Sequence, residues 1–400
     1  MKIAALIAIF ALACDTADFN RVETLGAYSI KQPHFTEISA SPISVGPYAG
    51  EPAVADCNND GNADIILACG TCCGSPAKPE SGHVMVLLGD GRGNFNRAKD
   101  SPIKIASSAR KIALGDVNRD NRIDIFVAQH DSYDVVVLIG DGRGGFKPLP
   151  PIAASRGTRP HTHDITAGDV NGDGNTDFLT TNANDHSISV MLGDGSGNFA
   201  PAPSSPIVVA RHPYDVVALS DINGDGRLDI ITPDLMNNKV VALLGDGRGG
   251  FARAPSSPFA MGSRPGYVSV ADINRDGKPD FVATHDDDPL AIVMLGDGAG
   301  GFQAAAGSPL KPEGAVWGTA IGDVNGDGLA DIAMASGANA SVVIMLGDGR
   351  GGFTQSAKPL RAGTWVNYVA MADFNKDGKL DLVASNYGSG DINVWLNATK

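Results

Sequence analysis

A nine-residue acidic loop that recurs seven times constrains this chain more than any other feature of its sequence. Its plainest copy, residues 221–229, has side-chain oxygens at positions 1, 3, 5 and 9 and glycine at position 6. A near-constant period over most of the chain predicts one repeat architecture and not two or three separate domains. The copies begin at Asp56, Asp116, Asp169, Asp221, Asp272, Asp323 and Asp373, with spacings of 60, 53, 52, 51, 51 and 50 residues.

Alternate oxygen-bearing residues in a tightly curled loop are typical of a site for a hard cation. Ca²⁺ takes about six to eight oxygen ligands, and glycine at position 6, or Asn121 in the second copy, permits the positive φ that the curl needs. Unlike an EF-hand, the loop closes with an acid at position 9, and its flanks resemble strands. We predict up to seven structural Ca²⁺ sites with these ligands: Asp56, Asn58, Asp60, Asp64; Asp116, Asn118, Asp120, Asp124; Asp169, Asn171, Asp173, Asp177; Asp221, Asn223, Asp225, Asp229; Asp272, Asn274, Asp276, Asp280; Asp323, Asn325, Asp327, Asp331; Asp373, Asn375, Asp377, Asp381.

The formal charge of −14 is concentrated in these loops, which hold three acids each, 21 of the 45 in the chain. Seven divalent ions would roughly cancel that net charge. The acidity is therefore interpreted as cation sites and not as a surface that meets a partner. No basic cluster with interleaved aromatic residues indicates nucleic-acid binding.

The first residues have the pattern of an export signal: Lys2, an apolar run over 3–13, and Ala11-Leu12-Ala13 before Cys14. The run is too short to span a bilayer as a helix. We predict a signal peptide over 1–13, cleaved either as an ordinary export signal or as a lipoprotein signal that leaves Cys14 lipid-anchored. Residues 14–33 are predicted to be a linker, and the protein is expected outside the cytoplasm, where calcium is plentiful.

Four further cysteines, Cys57, Cys69, Cys72 and Cys73, all lie in the first repeat. An even number of cysteines in an oxidising compartment favours disulfides. We predict two disulfides that hold the longer loop of this repeat. The alternative is a Cys-x-x-Cys metal site, although no second pair stands at the usual spacing.

Each repeat contains short runs of Val, Ile, Leu and Phe between turn signals, which is typical of strands. In the fifth repeat these runs are 267–271, 281–284, 291–295 and a fourth that opens with Phe302. Seven units of four antiparallel strands predict an all-β, seven-bladed β-propeller over residues 34–400. The residue before each loop is always small (Ala, Gly or Ser), which predicts close packing of the first strand beside the axis.

The turn Gly-Asp-Gly-x-Gly-(Gly/Asn)-Phe occurs six times and leads into a strand, so the partial match to a dinucleotide fingerprint is rejected. We expect its glycines to adopt positive φ and each phenylalanine to pack between neighbouring blades. The seventh repeat ends after its third strand. We predict that residues 35–38 pair with that strand and close the ring.

The alternation of Asp-x-Asn-x-Asp-Gly-x-x-Asp loops with Gly-Asp-Gly-x-Gly-x-Phe turns resembles the FG-GAP/VCBS repeats of integrin α-subunit propellers and of many secreted bacterial proteins. The resemblance covers about residues 34–400, and a fungal lectin family of similar length is also built of such repeats. It implies that the loops hold Ca²⁺ on the lower face and that ligands bind on the upper face or between blades. Asn121 departs from the pattern at position 6 of the second loop.

Two sets of variable loops on the opposite side hold most of the Trp, Tyr and His residues. Aromatic rings beside Asp, Asn and Arg suit a sugar or a peptide; the alternative is a solvated rim whose aromatic residues plug the channel mouth. Alternation along a strand places His161 and His163 on one side, as either a metal or acid–base site or an ordinary polar mouth. The candidate ligand-binding residues are Arg110, His130, His161, His163, His186, Asp215, Tyr267, Trp317, Trp365 and Tyr368.

We expect an exported, calcium-stabilised propeller that binds a glycan or an extracellular protein without catalysis, as an adhesion or lectin-like module. It would reach a membrane only through a lipid at Cys14. The alternative is an enzyme, since related repeats occur in polysaccharide lyases and sugar dehydratases. No nucleophile elbow or zincin helix supports a hydrolase, and a purely structural module is a third hypothesis.

Overall fold

The structure of the protein is a computed structural model that describes residues 31–70, 82–105, 108–130, 132–154, 161–209, 211–214, 217–285 and 288–400. The predicted signal peptide, Cys14 and most of the predicted linker lie outside these ranges. The described part is almost wholly β, with two short 3-10 helices, Ala183–Asp185 and Leu235–Asn237. Within it, no helix is long and apolar enough to cross a membrane.

Seven antiparallel sheets follow one another along the chain, so the predicted all-β, seven-bladed propeller is confirmed. Before the first sheet come β1 (Phe35–Glu37) and β2 (Ile43–Ser44). Sheets one to three contain β3 (Ala49–Ala55), β4 (Asp64–Cys69), β5 (His83–Gly89), β6 (Phe95–Arg97), β7 (Ile103–Lys104); β8 (Ala109–Gly115), β9 (Asp124–Gln129), β10 (Asp134–Gly140), β11 (Phe146–Pro148), β12 (Ile152–Ala153); β13 (Thr162–Gly168), β14 (Asp177–Asn182), β15 (Ser187–Gly193), β16 (Phe199–Pro201) and β17 (Ile207–Val208).

The remaining four sheets repeat the same order. They contain β18 (Ala218–Ser220), β19 (Asp229–Asp234), β20 (Lys239–Gly245), β21 (Phe251–Arg253), β22 (Phe259–Ala260); β23 (Pro265–Ala271), β24 (Asp280–His285), β25 (Ala291–Gly296), β26 (Phe302–Ala304); β27 (Thr319–Gly322), β28 (Asp331–Ser336), β29 (Ser341–Gly347), β30 (Phe353–Gln355), β31 (Leu360–Arg361); and β32 (Val366–Ala372), β33 (Asp381–Asn386), β34 (Asp391–Asn397).

Most sheets have one strand more than the four that the sequence predicts. In six of them a two-residue strand pairs with the third strand, beside the fourth. The fifth sheet has a single bridge there, between Ala291 and Leu310. The extra pairing covers the part of the long third strand that the three-residue fourth strand leaves open.

The hydrophobic core is divided into seven clusters, each formed by two neighbouring blades. The first strands of neighbouring blades are in contact around the ring, including β32 of the last blade with β3 of the first. Each turn phenylalanine joins one of these clusters, as the sequence predicts: Phe95, Phe146, Phe199, Phe251, Phe302 and Phe353. The seventh cluster, between the sixth and seventh blades, receives Phe35 from the other end of the chain.

The N-terminal segment supplies the outer strands of the seventh blade. Strand β1 runs antiparallel to β34, with Phe35 opposite Asn397 and Glu37 opposite Trp395. The backbone N–H of Ile38 donates to the Val394 carbonyl at 3.1 Å. The last blade therefore draws its strands from both ends of the chain.

Small residues before the loops have a specific steric reason. A Cβ added to Gly115 would lie 2.7 Å from Cγ2 of Thr176, and one added to Gly322 would lie 2.5 Å from Cδ1 of Leu380. Thr176 and Leu380 are both residue 8 of the loop in the following blade. The constraint therefore comes from the neighbouring blade.

The predicted pair of disulfides is wrong for the two described cysteines, which are both free and buried. Cys57 is position 2 of the first loop, where other copies place Val117 or Ile222, and it packs between the first and second blades. Cys69 ends β4 and packs between the seventh and first blades. Burial raises the pKa of the Cys69 thiol to about 12. Both side chains serve as small core residues; Cys72 and Cys73 lie outside the described residues.

Candidate functional site

The upper ends of the first strands carry a register shift in five of the seven blades. In β8, Ala109 lies opposite Gln129 and Lys111 opposite Ala128, so Arg110 is an extra residue. The same irregularity occurs in β3, β13, β23 and β32. A bulge changes the direction of the side chains that follow it. Here it separates residues at the channel mouth from residues inside the channel.

A cleft of about 790 Å³ opens at the mouth. Five of its twelve lining residues are aromatic, and small residues of the sixth blade are among the others. The lining residues are Tyr48, Arg110, Tyr214, Ala315, Val316, Trp317, Gly337, Ala338, Trp365, Val366, Asn367 and Tyr387.

Three rings form one wall of this cleft. Tyr387 lies between Tyr48 and Trp365, with ring centroids 5.0 Å and 5.6 Å away. Tyr48 and Trp365 each stand eight residues before their loop, and both have a φ of 58°. A bulky residue in the left-handed region is an outlier of the kind found at binding sites. Trp365 is also 63% exposed, so its ring is available to a ligand.

Trp317 also lines the cleft. Its indole Nε1 is buried and has no hydrogen-bond acceptor, whereas a buried indole N–H usually finds a partner. Tyr214 meets this ring edge-on at 6.0 Å. A Cβ at Gly266 would lie 2.7 Å from the indole ring, so glycine is required there.

A buried charged network fills the channel below the cleft. The Lys111 ammonium lies 2.6 Å from Glu51 and 3.3 Å from Asp164, and 5.1 and 5.0 Å from the ring centroids of Tyr267 and Tyr368. The Tyr267 hydroxyl donates to Glu51 across the ring, from the fifth blade to the first. Burial opposes the charged form of Lys111, but the Asp164 and Glu51 carboxylates outweigh it and raise the lysine pKa well above its usual value.

Sequence reasoning missed Lys111, although a signal was present. Glu51, Lys111, Asp164, Tyr267 and Tyr368 each stand five residues before the first Asp of their loop. Equivalent positions of a closed ring point at the same axis, so residues of opposite charge at one repeat position predict a contact across the channel.

Three histidines form a second feature of the mouth. The ring centroids of His130, His161 and His163 are 4.3 to 5.0 Å apart. The Nε2 atoms of His161 and His163 are 2.7 Å apart. His212 lies farther out, 5.9 Å from His161, and stacks on Tyr214. Burial lowers the pKa of His212, and His186 lowers it further.

The candidate ligand-binding residues therefore separate into groups. Arg110, Trp317 and Trp365 line the cleft. His130, His161 and His163 come together in the histidine cluster. His186 stands apart at the end of the first 3-10 helix, where its Nδ1 accepts the His212 N–H. Tyr267 and Tyr368 are buried in the channel and do not line the cleft. Asp215 lies outside the described residues.

The acidic loops share one hydrogen-bond pattern on the opposite side. In the fourth loop, the Asp225 N–H donates to Asp221 at 3.1 Å and to Asn223 at 3.0 Å, and the Gly226 N–H donates to Asp221 at 2.7 Å. In the second loop Asn121 takes the place of this glycine and adopts a φ of 60°. Its N–H donates to Asp116 as the Gly226 N–H donates to Asp221. The curl is thus the same in glycine and asparagine copies.

Position 9 differs from the other three oxygen-bearing positions. All seven of its carboxylates are fully buried. In Asp229, Oδ2 accepts the N–H of Ile222 at 3.0 Å and Oδ1 accepts that of Gly245 at 2.7 Å, and the other six copies have equivalent bonds. Burial raises the pKa of Asp331 to about 7, and the nearby loop carboxylates contribute to the rise.

The donor set of each loop fits a hard divalent cation. Positions 1, 3 and 5 present carboxylate and amide oxygens on one curl, which is the kind of ligand that Ca²⁺ prefers. In the fourth loop, Asp221 Oδ1 accepts two N–H groups, from Gly224 and Asp225, whereas Asn223 Oδ1 accepts one and keeps a second lone pair. Position 9 lies behind them, where its carboxylate also links the loop to the end of the third strand.

The loops and turns place this chain in a known family. The FG-GAP-like repeat family matches residues 116–180, 169–232, 221–283, 274–334 and 323–384 in overlapping copies. The chain therefore belongs to the FG-GAP-like repeat family, as the sequence motifs predict. A search among curated proteins gave no match.

Solved structures with the same fold serve different functions. A lectin from Agrocybe aegerita that recognises non-reducing terminal N-acetylglucosamine is 20% identical, with 87% of this chain and 86% of that chain covered and a TM-score of 0.53. A protein from Lactobacillus plantarum is 10% identical over 84% and 96% of the chains, with a TM-score of 0.58. Streptogramin B lyase is 13% identical over 92% and 98%, with a TM-score of 0.50. At these identities the likeness concerns the fold alone.

Proposed function

We propose that this protein is an exported, calcium-stabilised propeller that binds carbohydrate in the cleft at its channel mouth. The observation that carries the proposal is the cleft itself, whose lining includes Tyr48, Trp365, Tyr387 and Trp317. Flat aromatic faces suit the apolar faces of sugar rings. Arg110 and Asn367 add polar groups at the rim.

A glycan suits this cleft better than a folded protein partner. A stable protein interface is a broad surface that buries an area of about 800 Å² on each side. This site has a different shape, a concave cleft with a volume of about 790 Å³. The lectin among the structural neighbours adds a fold-level analogy. The ligand class is therefore proposed to be an oligosaccharide or a glycan end.

Calcium is proposed to bind positions 1, 3, 5 and 9 of each loop. Bound there, Ca²⁺ would offset the repulsion among three carboxylates and hold the hairpin between the first and second strands. The hydrogen bonds that already curl the loop around Asp221 and Asn223 support this assignment. Export, inferred from residues 1–13 and from Cys14, would supply the calcium concentration.

For the alternative of a lyase or dehydratase, Lys111 and Tyr267 are unsuitable acid–base groups because both side chains are buried in the channel. The half-buried His161 at the mouth is the acid–base candidate that this alternative keeps. Binding without turnover is the proposal, and the enzyme is an outcome of its test. Analysis of recovered glycan separates the two hypotheses, because an enzyme would return a changed product.

The proposal is tested with a glycan array followed by titration of the best-bound glycan into wild-type protein and Trp365→Ala. Because Trp365 is 63% exposed, its removal should leave the melting temperature unchanged. We expect the affinity to fall by about tenfold or more, as loss of a central aromatic contact usually costs more than about 1.4 kcal/mol.

Val208→Ala is the matched control, since Val208 is 80% exposed and lies on β17, away from the cleft. Its affinity should equal that of the wild type. Glycan binding that survives both Trp365→Ala and Trp317→Ala would contradict the proposal, as would an array without any bound glycan.

A further inference from the structure

The three clustered histidines come from two blades and meet at the seam between them. His130 follows β9 of the second blade, while His161 and His163 stand at the start of β13 in the third. One ring nitrogen from each lies within 4.8 Å of the other two. His130 is 1% exposed and His163 is 0% exposed; His161 is half-buried and gives the cluster its access to the mouth.

The three ring nitrogens of the cluster are the donors that a metal ion would meet. Neutral imidazole offers a lone pair that suits Zn²⁺, Cu²⁺ or Ni²⁺, whereas Ca²⁺ prefers oxygen. The cluster therefore differs in chemistry from the acidic loops, and the two kinds of site would select different ions.

The spacing requires only small side-chain movements. Zinc–nitrogen bonds of about 2.0–2.1 Å in a tetrahedral site separate the nitrogens by about 3.3 Å. The Nε2 atoms of His161 and His163 are 2.7 Å apart, so they would move apart, and all three ligand nitrogens already lie within 4.8 Å of one another.

We propose that His130, His161 and His163 form a three-histidine site for a divalent late transition metal ion such as Zn²⁺. The ring centroids of Tyr214 and His163 are 4.1 Å apart, and Tyr214 also lines the cleft. The ion would therefore lie beside the proposed carbohydrate site. The metal proposal does not depend on glycan binding.

The test is isothermal titration of Zn²⁺ and Co²⁺ into the full chain, purified without a polyhistidine tag and held in excess Ca²⁺. Excess calcium keeps the acidic loops from competing. The wild type should bind one equivalent of metal, and the Co²⁺ complex should show the intense visible absorption of a low-symmetry, nitrogen-ligated ion. His161→Ala should weaken binding by at least about tenfold, the smallest loss expected when even a supporting residue of a metal site is removed.

His186→Ala is the matched control, because His186 lies in the same blade and outside the cluster. It should bind metal like the wild type. Equal affinity of His161→Ala and the wild type, or no bound equivalent in excess calcium, would overturn the proposal. Should His161→Ala fail to fold, electron paramagnetic resonance of Cu²⁺ in the wild type decides: coupling to several ring nitrogens supports the site, and its absence rejects it.

Discussion

Asp229 and Asp225 stand four residues apart in one loop and have different physical surroundings. Asp229 is fully buried, and both of its oxygens accept backbone N–H groups. Asp225 accepts the Arg227 N–H at 3.0 Å but lies at the surface. A buried donor that loses its acceptor costs about 1–3 kcal/mol, whereas water replaces the acceptor of an exposed one.

This contrast predicts that position 9 supports the fold even without metal. In excess chelator, Asp229→Ala should lower the free energy of unfolding by about 2–5 kcal/mol, because two buried N–H groups lose their acceptors. Asp225→Ala should lower it by less than about 1 kcal/mol under the same conditions. Urea denaturation measures both. Equal losses would show that the position 9 carboxylate acts only as a metal ligand.

The turn phenylalanines show how a short element joins two blades. Phe302 lies 4.9 Å from Phe281 in its own blade and 5.3 Å from Phe259 in the preceding one. Phe35 has the same place between the sixth and seventh blades, although it comes from the start of the described chain. The seventh sheet is thus held by side-chain packing as well as by the pairing of β1 with β34.

Phe35→Ala should therefore destabilise the whole ring by about 2–4 kcal/mol, within the range of large-to-small changes at packed sites. Thr36→Ala is the control, because Thr36 is exposed on the same strand, and it should change stability by less than about 0.5 kcal/mol. Thermal and urea unfolding report both variants. A Phe35→Ala protein as stable as the wild type would show that β1 does not contribute to closure.

At the scale of the whole molecule, the ring is joined at its core, its channel and its lower face. Seven inter-blade clusters form the core, and the Lys111 network links the second blade to the first, third, fifth and seventh through Glu51, Asp164, Tyr267 and Tyr368. The lower face carries 21 loop carboxylates within a net charge of −14. Repulsion among them opposes the folded ring.

Removing calcium should increase the repulsion among the carboxylates in every loop that binds calcium. We expect a chelator to lower the melting temperature by about 3 °C for each site that was held at a hundred times its Kd, because a chain of 400 residues has a large unfolding entropy. Returning Ca²⁺ should restore the original melt, and Mg²⁺ at equal concentration should restore less because it favours a smaller, octahedral set of ligands. A melt that does not respond to chelator would contradict the calcium proposal.

Local sequence determined the blade number, the loop curl and the strand order. These features depend on contacts within a few residues: Asp221 bonds Gly226, and the glycine-rich turns return the chain to a neighbouring strand. The turn phenylalanines were also predictable, since a large apolar residue repeated beside a hairpin must be buried. The disulfide prediction failed because cysteine count and compartment do not tell whether Cys57 occupies a core position.

Tertiary structure alone decided how the mouth is arranged. Simple strand alternation does not reveal that a bulge at Arg110 sends Lys111 into the channel, or that Tyr267 would meet Glu51 from 216 positions away. The histidine cluster likewise needs two blades side by side, because His130 and His161 belong to different sheets. Such contacts arise only when the ring closes, since closure brings equivalent positions of distant repeats onto one axis. The repeat pattern shows which residues share a position, but the distances between them are set only in the closed ring.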